Sequence, residues 1–273
     1  MNNFEYLRLV NLGQYIPTGS WIHRLDPRAR ILATILLLAA VTFAPSPAGL
    51  VLALGIVLLL LVLARIPLAF ALRGLLPPLP FLLILAVLQV LFPVRADPST
   101  VLVDFGWIQI TTAGIRAGIM LLLRFSALIL ALGLGSYVIS TAEFIRGLES
   151  LLTPLNRLRI PTTDFVMMIQ VMLRFIPFLA MGAERIAKAQ ASRGADWGTR
   201  RGGPLQRVRQ AFPLLVPLFL TGLRRAESLA LAMESRGYAN RSRHTSMIEL
   251  EFRLKDALAI AAAGVLAAAI VFL

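Results

Sequence analysis

Residues 47–64 read PAGLVLALGIVLLLLVLA, an unbroken run without a charge. Hydrocarbon offers no water to backbone amides, so such a run must satisfy its own hydrogen bonds, and one helix of about 20 residues does so across a bilayer. Three further stretches before residue 141, at 29–44, 75–92 and 113–139, share this character, and ALAIAAAGVLAAAIVFL closes the chain at 257–273. With 58% hydrophobic residues and a mean hydropathy of +0.79, a water-soluble globular fold is excluded. The expected class is an all-α integral membrane protein with about five transmembrane helices, joined by long helices outside the bundle.

The placement of charge orients those spans. Cytoplasmic loops near span ends carry the Lys and Arg excess. Arg8, Arg24, Arg28 and Arg30 precede or open the first span, the PSP loop after it has no charge, and the next loop holds Arg65 and Arg73. The stretch 93–112 sets Arg95 against Asp97 and Asp104, which suits the outer side. The first 20 residues, with Glu5, Arg8 and Asn11, lack the apolar core of a secretory signal, so the first span is expected to act as its own insertion signal. An inner amino terminus and four crossings return the chain to the cytoplasm near residue 141. Residues 141–255 then hold eighteen Lys and Arg against nine Asp and Glu, and the last span sends the carboxyl terminus outside.

Residues 165–181 (FVMMIQVMLRFIPFLAM) are apolar, yet Gln170, Arg174 and Pro177 fall near their middle. A crossing here would export 184–225, with nine basic and two acidic residues, and AFPLLVPLFLTGL at 211–223 is too short to restore parity. The favoured arrangement is two long helices along the inner face, with Phe175, Phe178, Leu215 and Leu218 as apolar backs against the bundle. The alternative is a sixth span with a re-entrant segment.

Local signals punctuate this plan. Asp26-Pro27 suits a helix start, with Asp as N-cap and Pro at the first helical position. From Thr141, apolar Phe144, Leu148, Leu151, Leu152, Leu155 and Leu158 recur at helical spacing with Arg146, Arg157 and Arg159 around them, as in an interfacial elbow. VLVDFGWIQI from Val101 is β-branched and aromatic and suits a small hairpin. Arg124 is a full charge near the middle of a clear span; it either bonds carbonyls of neighbouring helices and snorkels, or serves function.

Most chemistry has too few members here. No cysteine occurs, which excludes disulfides and thiolate sites. No G-x-x-x-x-G-K-[ST] loop occurs, and GLGSYV at 133–138 lacks the third glycine of a dinucleotide turn. His23 and His244 alone do not make a metal cluster or a hydrolase triad. Ion-driven carriers place carboxylates or histidines within their spans as relays, whereas Asp97, Asp104, Glu143 and Asp256 all fall at span ends or in loops. Catalytic residues, cofactors, metals and nucleic-acid partners are therefore not expected.

The chain repeats one phrase. AERIAKAQASRG from Ala183 and AESLALAMESRG from Ala226 share the frame A-E-x-x-A-x-A-x-x-S-R-G. Gly after a helix end supplies a left-handed conformation and a cation in the last turn complements the helix dipole, which explains Arg193-Gly194 and Arg236-Gly237 as caps. Capping leaves the matched Glu, Ala and Ser unexplained. An Arg at an exposed helix end, with small neighbours Ser192 and Gly194 or Ser235 and Gly237, also suits insertion into a partner's groove. Both readings stand together.

HRLDPRARIL from His23, LRFIPFL from Leu173, KAQASRGADW from Lys188, PLLVPLF from Pro213 and RRAESLALAMESRGY from Arg224 resemble the transmembrane T component of energy-coupling factor (ECF) transporters. The likeness covers most of the chain. It implies long coupling helices whose Arg-Gly tips dock on two ABC-type ATPase subunits, while another surface holds a substrate-binding membrane subunit, the S component. The family's usual Ala-Arg-Gly stands here as Ser192-Arg193-Gly194 and Ser235-Arg236-Gly237, and both phrases look more like members that share one module among several S components.

The resulting expectation is a four-span bundle over 1–140, a cytoplasmic and interfacial coupling region over 141–255 and a last span over 256–273, in the plasma membrane. The chain would be a scaffold of an importer for vitamins or other micronutrients, with ATP hydrolysed by partners. A secondary transporter and a membrane scaffold without transport are the rival readings.

Overall fold

The computed structural model describes residues 14–92, 101–104, 109–153, 162–194, 204–238 and 251–273. Glu5, Arg8, Asn11, Arg95, Asp97, Leu155, Arg157, Leu158, Arg159 and His244, all weighed above, lie outside them.

Each helix start reflects its local sequence. α1 (Pro27–Phe43) begins where the Asp26 side chain accepts from the Arg28 amide at 2.8 Å, with Pro27 at the first position. α2 (Pro47–Leu63) repeats the device with Ser46, whose Oγ accepts from the Gly49 amide. The expected third span is shorter than its apolar run. Pro77, Pro78 and Pro80 remove amide donors, and the chain forms a short α3 (Leu68–Arg73), turns, and enters α4 only at Leu79–Leu91. A hairpin of β1 (Val101–Asp104) and β2 (Gln109–Thr111) follows, antiparallel as its β-branched pattern suggests.

Thr111 caps α5 (Thr112–Val138), within which GLGSYV is plain helix. Ser140 and Glu143 form a reciprocal capping box at the start of α6 (Thr141–Leu152). α7 (Thr162–Ser192) and α8 (Pro204–Ser235) run 31 and 32 residues despite internal Pro177, Pro213 and Pro217. α9 (Leu254–Phe272) closes the chain.

Among the described residues, α5, α9 and the stretch Asp164–Ser192 of α7 are long and apolar enough to cross a membrane; α2 and α4 are shorter apolar helices. At 1.5 Å per residue the 17 residues of α2 extend roughly 26 Å, close to the ~30 Å hydrocarbon thickness. The chain is an all-α membrane protein.

The helices divide into two compact units, α1–α6 with α9, and α7 with α8. In the first, α1 packs on α9, α5 and α6, while α2 and α4 pack on α5. Leu50, Val57 and Leu61 of α2, Val41 of α1, Ala127 and Ala131 of α5 and Ile270 of α9 form its core, each almost wholly buried. Gly49 sits directly on the Ile270 carbonyl, so the start of α2 meets the end of α9. The amino ends of α1 and α9 meet in turn where Asp256 Oδ1 accepts from the Asp26 amide at 2.8 Å. α1 and α9 therefore run parallel, with α2 opposed, and one end of the unit gathers Arg24, Arg28, Arg30, Arg253 and Lys255.

Candidate functional site: two arginine tips and an apolar groove

α7 and α8 cross in opposite senses. Gly182 faces Leu218 and Gly222 faces Leu179, so numbers rise along one helix as they fall along the other. The missing side chains let the helices approach there. Phe175 and Phe178 meet edge to face at 6.1 Å between ring centroids, and the Arg225 guanidinium lies 5.4 Å above the Phe178 ring. Arg225 is exposed, and a cation–π contact at an exposed site contributes about 0.5–1 kcal/mol.

The repeated phrase forms the two far ends of this crossing. Ser192 Oγ donates to the Ala189 carbonyl at 2.8 Å and Ser235 Oγ to the Ala232 carbonyl at 3.0 Å. Gly194 and Gly237 adopt φ of 82° and 76°, the left-handed region that costs an L side chain about 1–2 kcal/mol. Their amides return to the Ala191 and Glu234 carbonyls at 3.0 and 2.8 Å. Capping is thus one true account of the motif.

The cap leaves the arginine side chains uncommitted. Arg193 and Arg236 are exposed, and among the described residues neither guanidinium pairs with a carboxylate. Each fork retains five N–H donors for another surface. Counted from the crossing, the tips lie roughly 20–25 Å out on opposite arms, at 1.5 Å per residue.

The repeat is not symmetric behind its tips. Ala183 and Ala187 are buried, whereas Ala226 and Ala230 are exposed. Glu184 pairs with Lys188 at 2.6 Å along α7, where α8 has Leu231 in place of the lysine. Ala226 and Ala230 instead line an apolar groove of about 780 Å³ between the first half of α7 and the second half of α8. Phe175, Leu215 and Leu218, read from the sequence as apolar backs, also line it, as do Met167, Met168, Met172 and Met233. Methionine side chains are unbranched and adaptable, so such a wall can repack. The sequence reading missed this groove, although the methionines at helical spacing in FVMMIQVM were a visible signal.

The profile of the cobalt transport protein family, CbiQ, matches residues 18–247. The chain is 38% identical over 255 residues to the energy-coupling factor transporter transmembrane protein EcfT of Listeria innocua, covering 93% of this chain and 94% of that protein. The chain belongs to the family of ECF transporter transmembrane components. The T components so named from Acidaminococcus fermentans and Thermanaerovibrio acidaminovorans are 38% and 39% identical, over 91% and 97% of this chain and 91% and 96% of their own lengths. An ECF T component is a membrane-embedded transport protein. Among the described residues no three His, Asp or Glu side chains gather into a metal set.

The other unit of this T component is held at its basic end by polar contacts. Arg30 donates through Nη1 to the Val138 carbonyl at 2.7 Å and through Nη2 to Glu143 Oε1 at 3.0 Å. Burial raises the Glu143 pKa, but the hydrogen bond from Arg30 and those from Ser140 outweigh it, and the carboxyl is held below its ordinary value. His23 Nε2 faces the Ile16 carbonyl at 3.0 Å and therefore carries the ring proton, while Nδ1 accepts from Ser20 Oγ at 2.7 Å. Burial lowers the His23 pKa and keeps the ring neutral. Arg124 Nη2 donates to the Ala44 carbonyl at 2.6 Å, the carbonyl-bonding role of the two weighed for it.

Proposed function

We propose that the chain couples ATP hydrolysis in two ABC-type ATPase subunits to the action of a substrate-binding S component, within an importer of vitamins or other micronutrients in the plasma membrane. Arg193 and Arg236 each enter a groove on one ATPase, with Ser192, Gly194, Ser235 and Gly237 keeping the backbone close to it. The observation that carries this reading is the pair of tips: two exposed guanidiniums on matching caps, at opposite ends of two crossed helices. One docking point would need one tip.

The apolar groove between α7 and α8 is the proposed seat of the S component, since its lining suits a helix face. A shift of the ATPases would move the tips, change the crossing of α7 and α8, and so reach whatever sits in the groove. In this reading residues 141–255 form the cytoplasmic coupling region, the amino terminus is inside and the carboxyl terminus outside.

The test is co-purification of the chain with the candidate ATPase pair of its genome, wild type against Arg193→Glu/Arg236→Glu. Truncating a buried interfacial charge typically costs ~2–5 kcal/mol, and reversal at two sites should abolish the complex. Normal assembly and uptake in the double variant would overturn the docking role.

A further inference from the structure

The α1–α6 and α9 unit contains a second elongated cavity, of about 410 Å³, within the range of small-ligand sites. Its wall runs from Lys255 to Leu266 along α9 and from Ala29 to Leu37 along α1, with Leu25 just before that helix. At 1.5 Å per residue that is roughly 17 Å, about half the hydrocarbon thickness and so the depth of one leaflet. The small side chains Ala259 and Ala263 open the space, and apolar atoms make up nearly all of the surface below Lys255.

The two ends differ in chemistry. Trp21, 65% exposed, stands at the end where α1 and α9 begin, the position of an interfacial aromatic. Lys255 stands there too, with one donor spent on the Arg24 carbonyl at 3.2 Å and two N–H groups left. The neighbouring carboxylates are engaged. Asp256 accepts the Asp26 and Arg253 amides, Asp26 accepts the Arg28 amide, Glu251 pairs with Arg253 and Glu143 with Arg30. Among the described residues the Lys255 ammonium lines the opening and forms no ion pair with a carboxylate.

We infer that this cavity holds one acyl chain of an anionic phospholipid, whose phosphate sits on Lys255 and Trp21 while the chain extends along α9 towards Leu266. One-leaflet depth, an apolar shaft and the cationic mouth at Lys255 fit that molecule together; Arg30, which also lines the cavity, is already paired with Glu143. A zwitterionic phospholipid offers the same phosphate but brings its own ammonium, so it gains less from Lys255, and a free phosphate satisfies Lys255 but leaves the shaft empty.

The full-length chain carrying Trp107→Phe and Trp197→Phe has Trp21 as its only indole. In phosphatidylcholine vesicles containing acyl-brominated phosphatidylglycerol, Trp21 fluorescence should be quenched at a roughly fivefold lower mole fraction than with acyl-brominated phosphatidylcholine, the preference one basic side chain confers at a membrane surface. Lys255→Ala should bring the two curves together, and Ala263→Phe should weaken quenching by both. Equal curves in the parent chain, or a preference that survives Lys255→Ala with helical content intact, would overturn the assignment. So would loss of quenching once the ATPases and S component are bound, which would give the cavity to a protein helix.

Discussion

Arg30 and Glu143, 113 residues apart in the chain, meet with Nη2 of the arginine 3.0 Å from Oε1 of the glutamate. Arg30 is almost wholly buried, and the same guanidinium bonds the last carbonyl of α5, so one side chain fastens α1, α5 and α6 at the basic end of the bundle. Beside it Gly147 of α6 lies against Ile31 and Pro27 of α1.

Glu143→Ala leaves a buried cation with only carbonyl compensation. Removing one partner of a buried pair costs about 3–5 kcal/mol. The thermal midpoint of the detergent-purified chain should fall clearly, and Glu143→Gln, which keeps a hydrogen-bond acceptor, should fall less. Equal midpoints in all three chains would mean that the pair does not hold the bundle.

His23 makes stability pH-dependent. Its folded pKa lies below the ordinary 6.5, so the unfolded chain binds the proton more readily. The contribution is complete above 6.5 and declines as pH falls from there towards the folded value. Glu143, with its pKa held below 4.5, contributes above that value and loses its contribution only at more acid pH as the pair is protonated. Thermal midpoints measured between pH 7 and 5.5 should therefore decline, and His23→Gln should flatten the decline in that window. A slope identical in the variant would assign it to another group.

Gly49 and Gly264 are both helical glycines with opposite surroundings. A methyl on Gly49 would collide with the Ile270 backbone carbonyl, which cannot swing aside, whereas Gly264 has open space. Gly49→Ala should cost about 1–3 kcal/mol by overpacking. Gly264→Ala should be neutral or gain up to about 1 kcal/mol from helix propensity. Comparison of the two midpoints checks the α2–α9 contact directly.

Gly194→Ala tests the cap in the chain without its partners. Among the described residues no atom lies within 4 Å of the added methyl, so the cost there is that of the left-handed backbone. Amide exchange in the last turn of α7 should quicken about tenfold for a loss of ~1.4 kcal/mol, with the bundle's melting unchanged. By contrast Ser192→Ala removes only a hydroxyl that bonds back to Ala189, and assembly with the ATPases should persist. Lost assembly in Ser192→Ala would give that hydroxyl a direct contact.

Helix starts and ends were legible because their causes are local. Asp26-Pro27 and the glycines after Arg193 and Arg236 act within one helical turn of where they stand, and each is found acting there, whereas the equally local Ser140–Glu143 box was missed. The hairpin at Val101–Thr111 was legible for the same reason. The third apolar run was misjudged in length, since hydropathy sums over Pro77 and Pro78 without registering that proline has no amide to donate.

By itself the sequence determined that this chain lives in a membrane, where some of its helices begin or end, and that an arginine-glycine tip occurs twice. Those properties follow from side-chain apolarity and local backbone chemistry. The tertiary structure alone decided that Arg30 reaches Glu143, that Ala183 is buried while its counterpart Ala226 lines a groove, and that the two tips point from opposite arms. A helical repeat shows which residues share a face, but the partner of that face is chosen by packing among distant segments, and no local pattern records the choice.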